Sequence, residues 1–167
     1  FILYQYVDFG DSMTTQPAAV FTPILEFLST RSVDTQLQYE LSKHFPLASE
    51  SIQQIKAWCL NGLKEQSFRM RGPQSLRFGN LLHQKRNPFG FRIDIVDMEG
   101  QGPGHVHPLG EINLCFTTEN TGGGSTSFDG LSEGWVVKQP KSWHTPTVRQ
   151  GRMVIVYFLP RGKVIFD

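Results

Sequence analysis

The residues best suited to chemistry lie in the segment Gly104 to Phe116, where two imidazoles and a carboxylate follow the spacing His-x-His-x3-Glu at His105, His107 and Glu111. On an extended strand residues i and i+2 share a face, so His105 and His107 point the same way. Pro108-Leu109-Gly110 is a turn signal that brings Glu111 back to that face. If a strand follows, Asn113 and Cys115 share the side of Glu111. A third imidazole, His144, ends the stretch GWVVKQPKSWH, a strand pattern followed by a proline-containing turn. Three imidazoles and one carboxylate make a shell for a borderline divalent ion such as Fe, Mn, Zn or Ni, with positions left open for substrate. The same groups without metal could act as acids and bases. They could also be unrelated polar residues on surface loops. The expected catalytic and metal-binding set is His105, His107, Glu111 and His144.

Such a set needs a rigid frame, and the chain changes character near residue 70. Before it, apolar residues recur at helical spacing. Thr22-Pro23 reads as a cap with proline in the first turn, ahead of Ile24, Leu25 and Leu28. Asp34 could cap a second helix carrying Leu37 and Leu41, broken before Pro46. Ser49 or Ser51 could open a third, with Ile52, Ile55, Cys59 and Leu63 on one side. After residue 70 the period moves toward two. Phe89, Phe91, Ile93 and Ile95 alternate with polar or small residues, and so do Ile112, Leu114 and Phe116. Trp135 to Val137 and Met153 to Leu159 are further apolar runs, separated by glycine-rich turns. The expected fold class is mainly β with a helical N-terminal section, built on a single jelly-roll β-barrel. The expected division is a non-native segment over 1–12 ahead of Met13, a helical section over 13–68 packing on the barrel, and the barrel over 69–167.

The bulk composition removes several function classes. The chain has 167 residues, with 16 basic against 15 acidic, enough to bury a core of its own. No Lys/Arg stripe suits nucleic acid, and no apolar run reaches the roughly 18 residues of a membrane span. Cys59 and Cys115 read as reduced thiols. The first twelve residues lack the basic start and small-residue cleavage site of a secretory signal, so the expected compartment is the cytoplasm. The Ile112, Leu114, Phe116 row could form a homodimer surface or pack against the helices. His44 and His83 read as surface or helix-end residues.

The histidine pattern resembles the cupin superfamily, whose first motif is G…HxHx3–4E…G and whose second is G…PxG…H. The second motif departs here, since Lys141 or Ser142 stands where glycine is usual. A closer resemblance is carried by GHVHPLGEINL, FDG at 128–130, GWVV at 134–137, HTPTV and GRMVIVYFLPRGKVIF, which together are similar to the 4-hydroxylaminobenzoate lyase family. That resemblance implies conversion of 4-hydroxylaminobenzoate to 3,4-dihydroxybenzoate with release of ammonia, in nitroaromatic degradation. It also implies a small aromatic carboxylate as substrate. Arg77, Arg92 and Arg152 are the candidate cations for that carboxylate, with Arg77 preferred because it follows the helical section. Asn113, on the side of Glu111, and Tyr157, whose hydroxyl needs a partner in an apolar strand, are candidate substrate contacts. Trp143 and Trp135 flank the second motif and could wall an aromatic pocket, Trp135 being the better core residue. The competing readings are a mononuclear metal-dependent dioxygenase acting on a small aromatic, and a non-catalytic small-molecule-binding cupin.

Overall fold

The structure is a computed structural model that describes residues 18–166. The segment 1–12 lies outside the described residues. Among the described residues three helices come first: α1 (Ala18–Ser29), α2 (Leu37–His44) and α3 (Glu50–Lys64). The expected start of α1 at Thr22-Pro23 is corrected, because the helix already runs from Ala18 and Pro23 sits inside it. Proline there removes the N–H that would bond the Ala19 carbonyl. Burial outweighs that loss, since Phe21, Ile24, Leu25 and Leu28 form a continuous stripe at i, i+3, i+4 and i+7, none more than 3% exposed. The start of α2 follows the expected chemistry: Asp34 Oδ1 accepts from the N–H groups of Gln36 (2.9 Å) and Leu37 (3.1 Å). Ser49 precedes α3 in an extended conformation. Near the end of α3, Gly62 is buried where a Cβ would overlap the Phe68 ring, so the glycine admits the aromatic that closes the helical layer.

Nine strands follow among the described residues: β1 (Leu76–Leu82), β2 (Phe91–Gln101), β3 (His105–Val106), β4 (Glu111–Asn120), β5 (Ser127–Phe128), β6 (Gly134–Lys138), β7 (Trp143–His144), β8 (Thr147–Pro160) and β9 (Ile165–Phe166). They make two antiparallel sheets. The larger has the order β1-β2-β8-β4-β6 with β5 also on β8, and the smaller has the order β7-β3-β9. The smaller sheet faces the larger across the histidines, giving a jelly-roll of two sheets. The expected mainly β jelly-roll with a helical N-terminal section is present, as two facing sheets: among the described residues no strand pairing joins them. The reason is local, because β3, β7 and β9 have two residues each, and prolines that cannot donate to a ladder flank β3 (Pro103, Pro108) and β7 (Pro140, Pro146).

Register fixes what each face of the large sheet does. Ile93 and Ile112 both lie opposite Phe158. With Ile95, Leu114, Phe116, Val154 and Val156 they form a face packed on the three helices. Phe21 meets Phe158 edge-to-face at 5.9 Å between centroids. Trp135 Nε1–H donates to the Phe45 carbonyl (2.9 Å) and Val137 N–H to Gln38 Oε1 (2.9 Å), which ties the helical layer to β6. Of the two roles weighed for the Ile112 row, it therefore serves the helices. The other face carries Met98, Cys115, Val136, Met153, Ile155, Tyr157 and Leu159, and it looks toward the small sheet. Both cysteines are buried and unpaired, one in each layer. No helix among the described residues is long and apolar enough to cross a membrane.

Candidate metal centre and its cavity

Strands β3 and β7 pair so that His105 stands directly opposite His144, with Val106 opposite Trp143. Alternation sends both imidazoles inward and both apolar partners outward. The turn after β3 closes with Gly110 N–H donating to the His107 carbonyl (3.0 Å), and its φ of 89° suits glycine. That turn delivers Glu111 to the first position of β4. The outcome is a tight group. His144 Nε2 lies 3.0 Å from His105 Nε2 and 3.1 Å from Glu111 Oε2; His105 Nε2 is 3.5 Å from that oxygen, and His107 Nε2 contacts it directly. The four potential ligand atoms all fall within 4.8 Å of one another. Glu111 is fully buried, His105 and His107 are 5% and 2% exposed, and the His144 side chain is 10% exposed.

The far nitrogen of every imidazole is already committed. His105 Nδ1–H donates to the Pro103 carbonyl (3.0 Å), His107 Nδ1–H to the Lys163 carbonyl (3.2 Å), and His144 Nδ1–H to Asp129 Oδ2 (2.7 Å). With acceptors on all three Nδ1 atoms, the hydrogen-bonding network assigns the Nδ1–H tautomer and leaves the Nε2 lone pairs converging. Lone pairs and a carboxylate oxygen at these distances repel unless positive charge lies among them. The donor set fits a divalent cation, and Glu111 Oε1 is buried without a hydrogen-bond partner. In the metal-free protein protons must serve instead. Burial pushes the Glu111 carboxyl up, but hydrogen bonds from His105, His107 and His144 outweigh it and hold it well below the ordinary range. Burial likewise lowers His144, yet the hydrogen bonds to Asp129 and Glu111 prevail and raise it to about 9.

A cavity of about 110 Å³ opens beside His105 and His107, several times the space a water molecule needs. Its walls are largely apolar, with Phe78, Val96, Met98, Leu159, Val164 and Phe166, and its other polar members are Asp94 and Tyr157. Asp94 lies opposite Tyr157, which lies opposite Asn113, so three polar residues cross the middle of this face in one row. Asn113 is wholly buried, with neither amide atom hydrogen-bonded. Burial, and next the charge of Glu111, push the Tyr157 hydroxyl well above its usual range, so it stays protonated.

The remaining expected contacts are dispersed. Trp143 is 57% exposed on the outer side of the small sheet, over Gly104, and it does not line the cavity. Phe166 takes the wall position instead. Arg77 alternates with Leu76 and Phe78, which line the cavity, so it stands on the opposite side of β1 and the structure does not bring it to the site. Arg152 is held by Asp97 (2.7 Å) and the Gln74 carbonyl (2.6 Å). Arg92 is 7% exposed and shares the cavity face of β2 with Asp94, whose two oxygens accept from its Nε at 3.0 and 2.9 Å. Burial raises the Asp94 carboxyl despite Arg92 and Asn80 beside it. Asp129, the partner of His144, is a site residue that spacing alone does not single out. Its signal was present in the Phe128-Asp129-Gly130 motif, but only folding reveals which imidazole it meets. Where the cupin pattern expects glycine, Lys141 keeps the backbone that glycine favours, with φ 66°, and its N–H donates to the His107 carbonyl (3.0 Å).

Comparison with known proteins identifies the family of the chain. Residues 19–166 match the model of the PnbB 4-hydroxylaminobenzoate lyase family. A 4-hydroxylaminobenzoate lyase of Pseudomonas putida is 24% identical over 152 residues, spanning 82% of this chain and 86% of that protein. One from Nocardioides sp. (strain LMS-CY) is also 24% identical over 152 residues, spanning 87% of this chain and 89% of that protein. Among solved structures, an RmlC-like cupin from Shewanella frigidimarina aligns with a TM-score of 0.40 at 15% identity, over 57% of this chain and 86% of that one. The match along nearly the whole described chain shows that it belongs to the 4-hydroxylaminobenzoate lyase family.

Proposed function

We propose that the protein is a carbon–nitrogen lyase that converts 4-hydroxylaminobenzoate and water to 3,4-dihydroxybenzoate and ammonia, a step of nitroaromatic degradation. The observation that carries this reading is the meeting of three imidazole Nε2 atoms and one buried carboxylate at a small apolar cavity. The reaction is redox-neutral. The N–O bond breaks and its oxygen leaves as water, a second water adds to the ring carbon beside the nitrogen, and a third displaces the imine nitrogen. One water is consumed for each ammonia released.

His105, His107, Glu111 and His144 would hold a divalent ion of the Fe, Mn, Zn or Ni kind. Such an ion supplies Lewis acidity toward the hydroxylamine oxygen and makes a nearby water more acidic. The chain's own groups supply the rest. Phe78, Val96, Leu159 and Phe166 hold the ring and keep bulk water from the reacting carbons. Glu111 Oε1, with no hydrogen-bond partner, accepts the proton of the attacking water. The Tyr157 hydroxyl donates a hydrogen bond to a substrate oxygen, and Asn113 offers a donor and an acceptor to the nitrogen end. Arg92 replaces Arg77 as the cation for the substrate carboxylate. It lies on β2 opposite Leu159 of β8, two strands from β4, so its Cα is roughly 10 Å from that of Glu111 at two strand spacings, a span that suits a para-substituted ring.

The decisive assay gives purified protein 4-hydroxylaminobenzoate and follows catechol, ammonia and oxygen before and after chelation. The expected result is one ammonia per catechol, no oxygen uptake, and loss of turnover on chelation. Oxygen uptake without ammonia would replace the lyase by a dioxygenase. Full turnover at negligible metal content would remove the ion.

A further inference from the structure

We infer that Asp129 is a positioning residue that makes His144 the strongest-binding of the three imidazoles at the cluster. The inference rests on the metal-binding reading above. The three histidines are not equivalent. His105 and His107 lean on neutral backbone carbonyls, of Pro103 and Lys163, whereas His144 alone leans on a carboxylate. A charged acceptor on Nδ1–H holds the ring more firmly and raises the basicity of Nε2, the nitrogen that faces the cluster.

That carboxylate is itself pinned. Asp129 Oδ2 accepts from His144 Nδ1–H (2.7 Å) and Lys138 Nζ (2.8 Å), and Oδ1 accepts from the Thr147 N–H (2.8 Å). Three donors from three different strands leave it little freedom to turn away. Lys138 ends β6, directly opposite Glu111 on β4, and Thr147 begins β8. The carboxylate therefore registers the small sheet, through His144, against the large one. Asp129 has a φ of 48°, a backbone conformation that asparagine also tolerates. Asp129→Asn thus removes the charge while keeping shape and backbone.

The test measures affinity for Zn²⁺ and Mn²⁺ by chelator competition in the wild-type protein, Asp129→Asn and Lys138→Met. Imidazole N–H resonances are recorded on the same samples. Asp129→Asn is expected to bind the ion about 10- to 100-fold more weakly, the usual cost of losing a ligand's outer partner. It should also lose the low-field Nδ1–H signal of His144, with the thermal midpoint of the metal-free protein still that of a folded domain. Lys138→Met keeps the carboxylate, so its affinity should stay within about threefold of wild type. Wild-type affinity and an intact His144 signal in Asp129→Asn would overturn the inference and leave the metal site standing. An equal loss in Lys138→Met would overturn it too, because the effect would then belong to local charge rather than to the His144 bond. Failure of the wild-type protein to bind either ion would instead overturn the metal reading itself.

Discussion

The two faces of the large sheet obey different rules. Toward the helices the buried residues of β2, β4 and β8 are all apolar, and rings meet edge-to-face, as Phe21 does with Phe158. Toward the small sheet the same strands carry Arg92, Asp94, Glu111, Asn113 and Tyr157 among their apolar residues, all nearly or fully shielded from water. Burying such groups costs free energy unless partners compensate, and Asn113 and Glu111 Oε1 are not fully compensated within the protein. One face supplies stability and the other spends part of it to keep polar groups aimed at a ligand.

That division can be broken at several points. Glu111→Gln should reduce turnover about a thousandfold or more while the protein still folds, because it removes both the anionic ligand and the base; a variant with near-normal turnover would relocate the chemistry. On the helix face, Phe158→Ala should cost about 3–5 kcal/mol in denaturant unfolding, yet each folded molecule should still bind metal as wild type does. If that variant lost metal binding in its folded fraction, the two faces would be coupled and the contrast between them wrong. Arg92→Lys keeps a cation but loses the planar fork, and should raise KM for 4-hydroxylaminobenzoate about tenfold with little change for the analogue lacking the carboxylate. An equal effect on both would take Arg92 out of substrate recognition.

Smaller effects sharpen the same comparison. In metal-free protein the His144 imidazole is lifted from 6.5 to about 9. A base raised on folding adds stability that is complete below its unfolded value and is lost as pH climbs through the folded one. Thermal midpoints of chelator-treated protein should therefore hold below about pH 6.5 and fall toward about pH 9. Loading the ion should abolish or reverse that fall, because metal needs deprotonated imidazoles. A profile unchanged by metal would show that the imidazoles are not its ligands. Smallest of all, Lys141→Gly should stabilise the protein by at most about 1 kcal/mol, relieving a left-handed backbone at some cost in unfolded-state entropy.

The helical and β sections, and the meeting of His105, His107, Glu111 and His144, were legible because each rests on a local rule. Period two through His105 and His107, and again from Glu111 to Phe116, sets which side chains share a face whatever the topology. What stayed hidden depends on distant pairing. Nothing near Arg77 states which side of β1 meets the cavity, because that follows from the register of Phe78 opposite Val96. Trp143 is the exception, since its adjacency to His144 lets strand alternation alone send it outward. Thr22-Pro23 misled because a proline-tolerant helix needs Phe21 in the core, a tertiary fact. Asp129 was hidden in the same way.

The short β9 places one consequence on the chain that precedes it. Lys163 supports His107 through a backbone oxygen, indifferent to the side chain at that position, while Phe166 three residues later closes the cavity wall. Identity at 163 is thus free to drift, but length is not. Inserting or deleting one residue between Arg161 and Phe166 would swing that oxygen off the imidazole and rotate the phenyl ring to the outer surface in a single event.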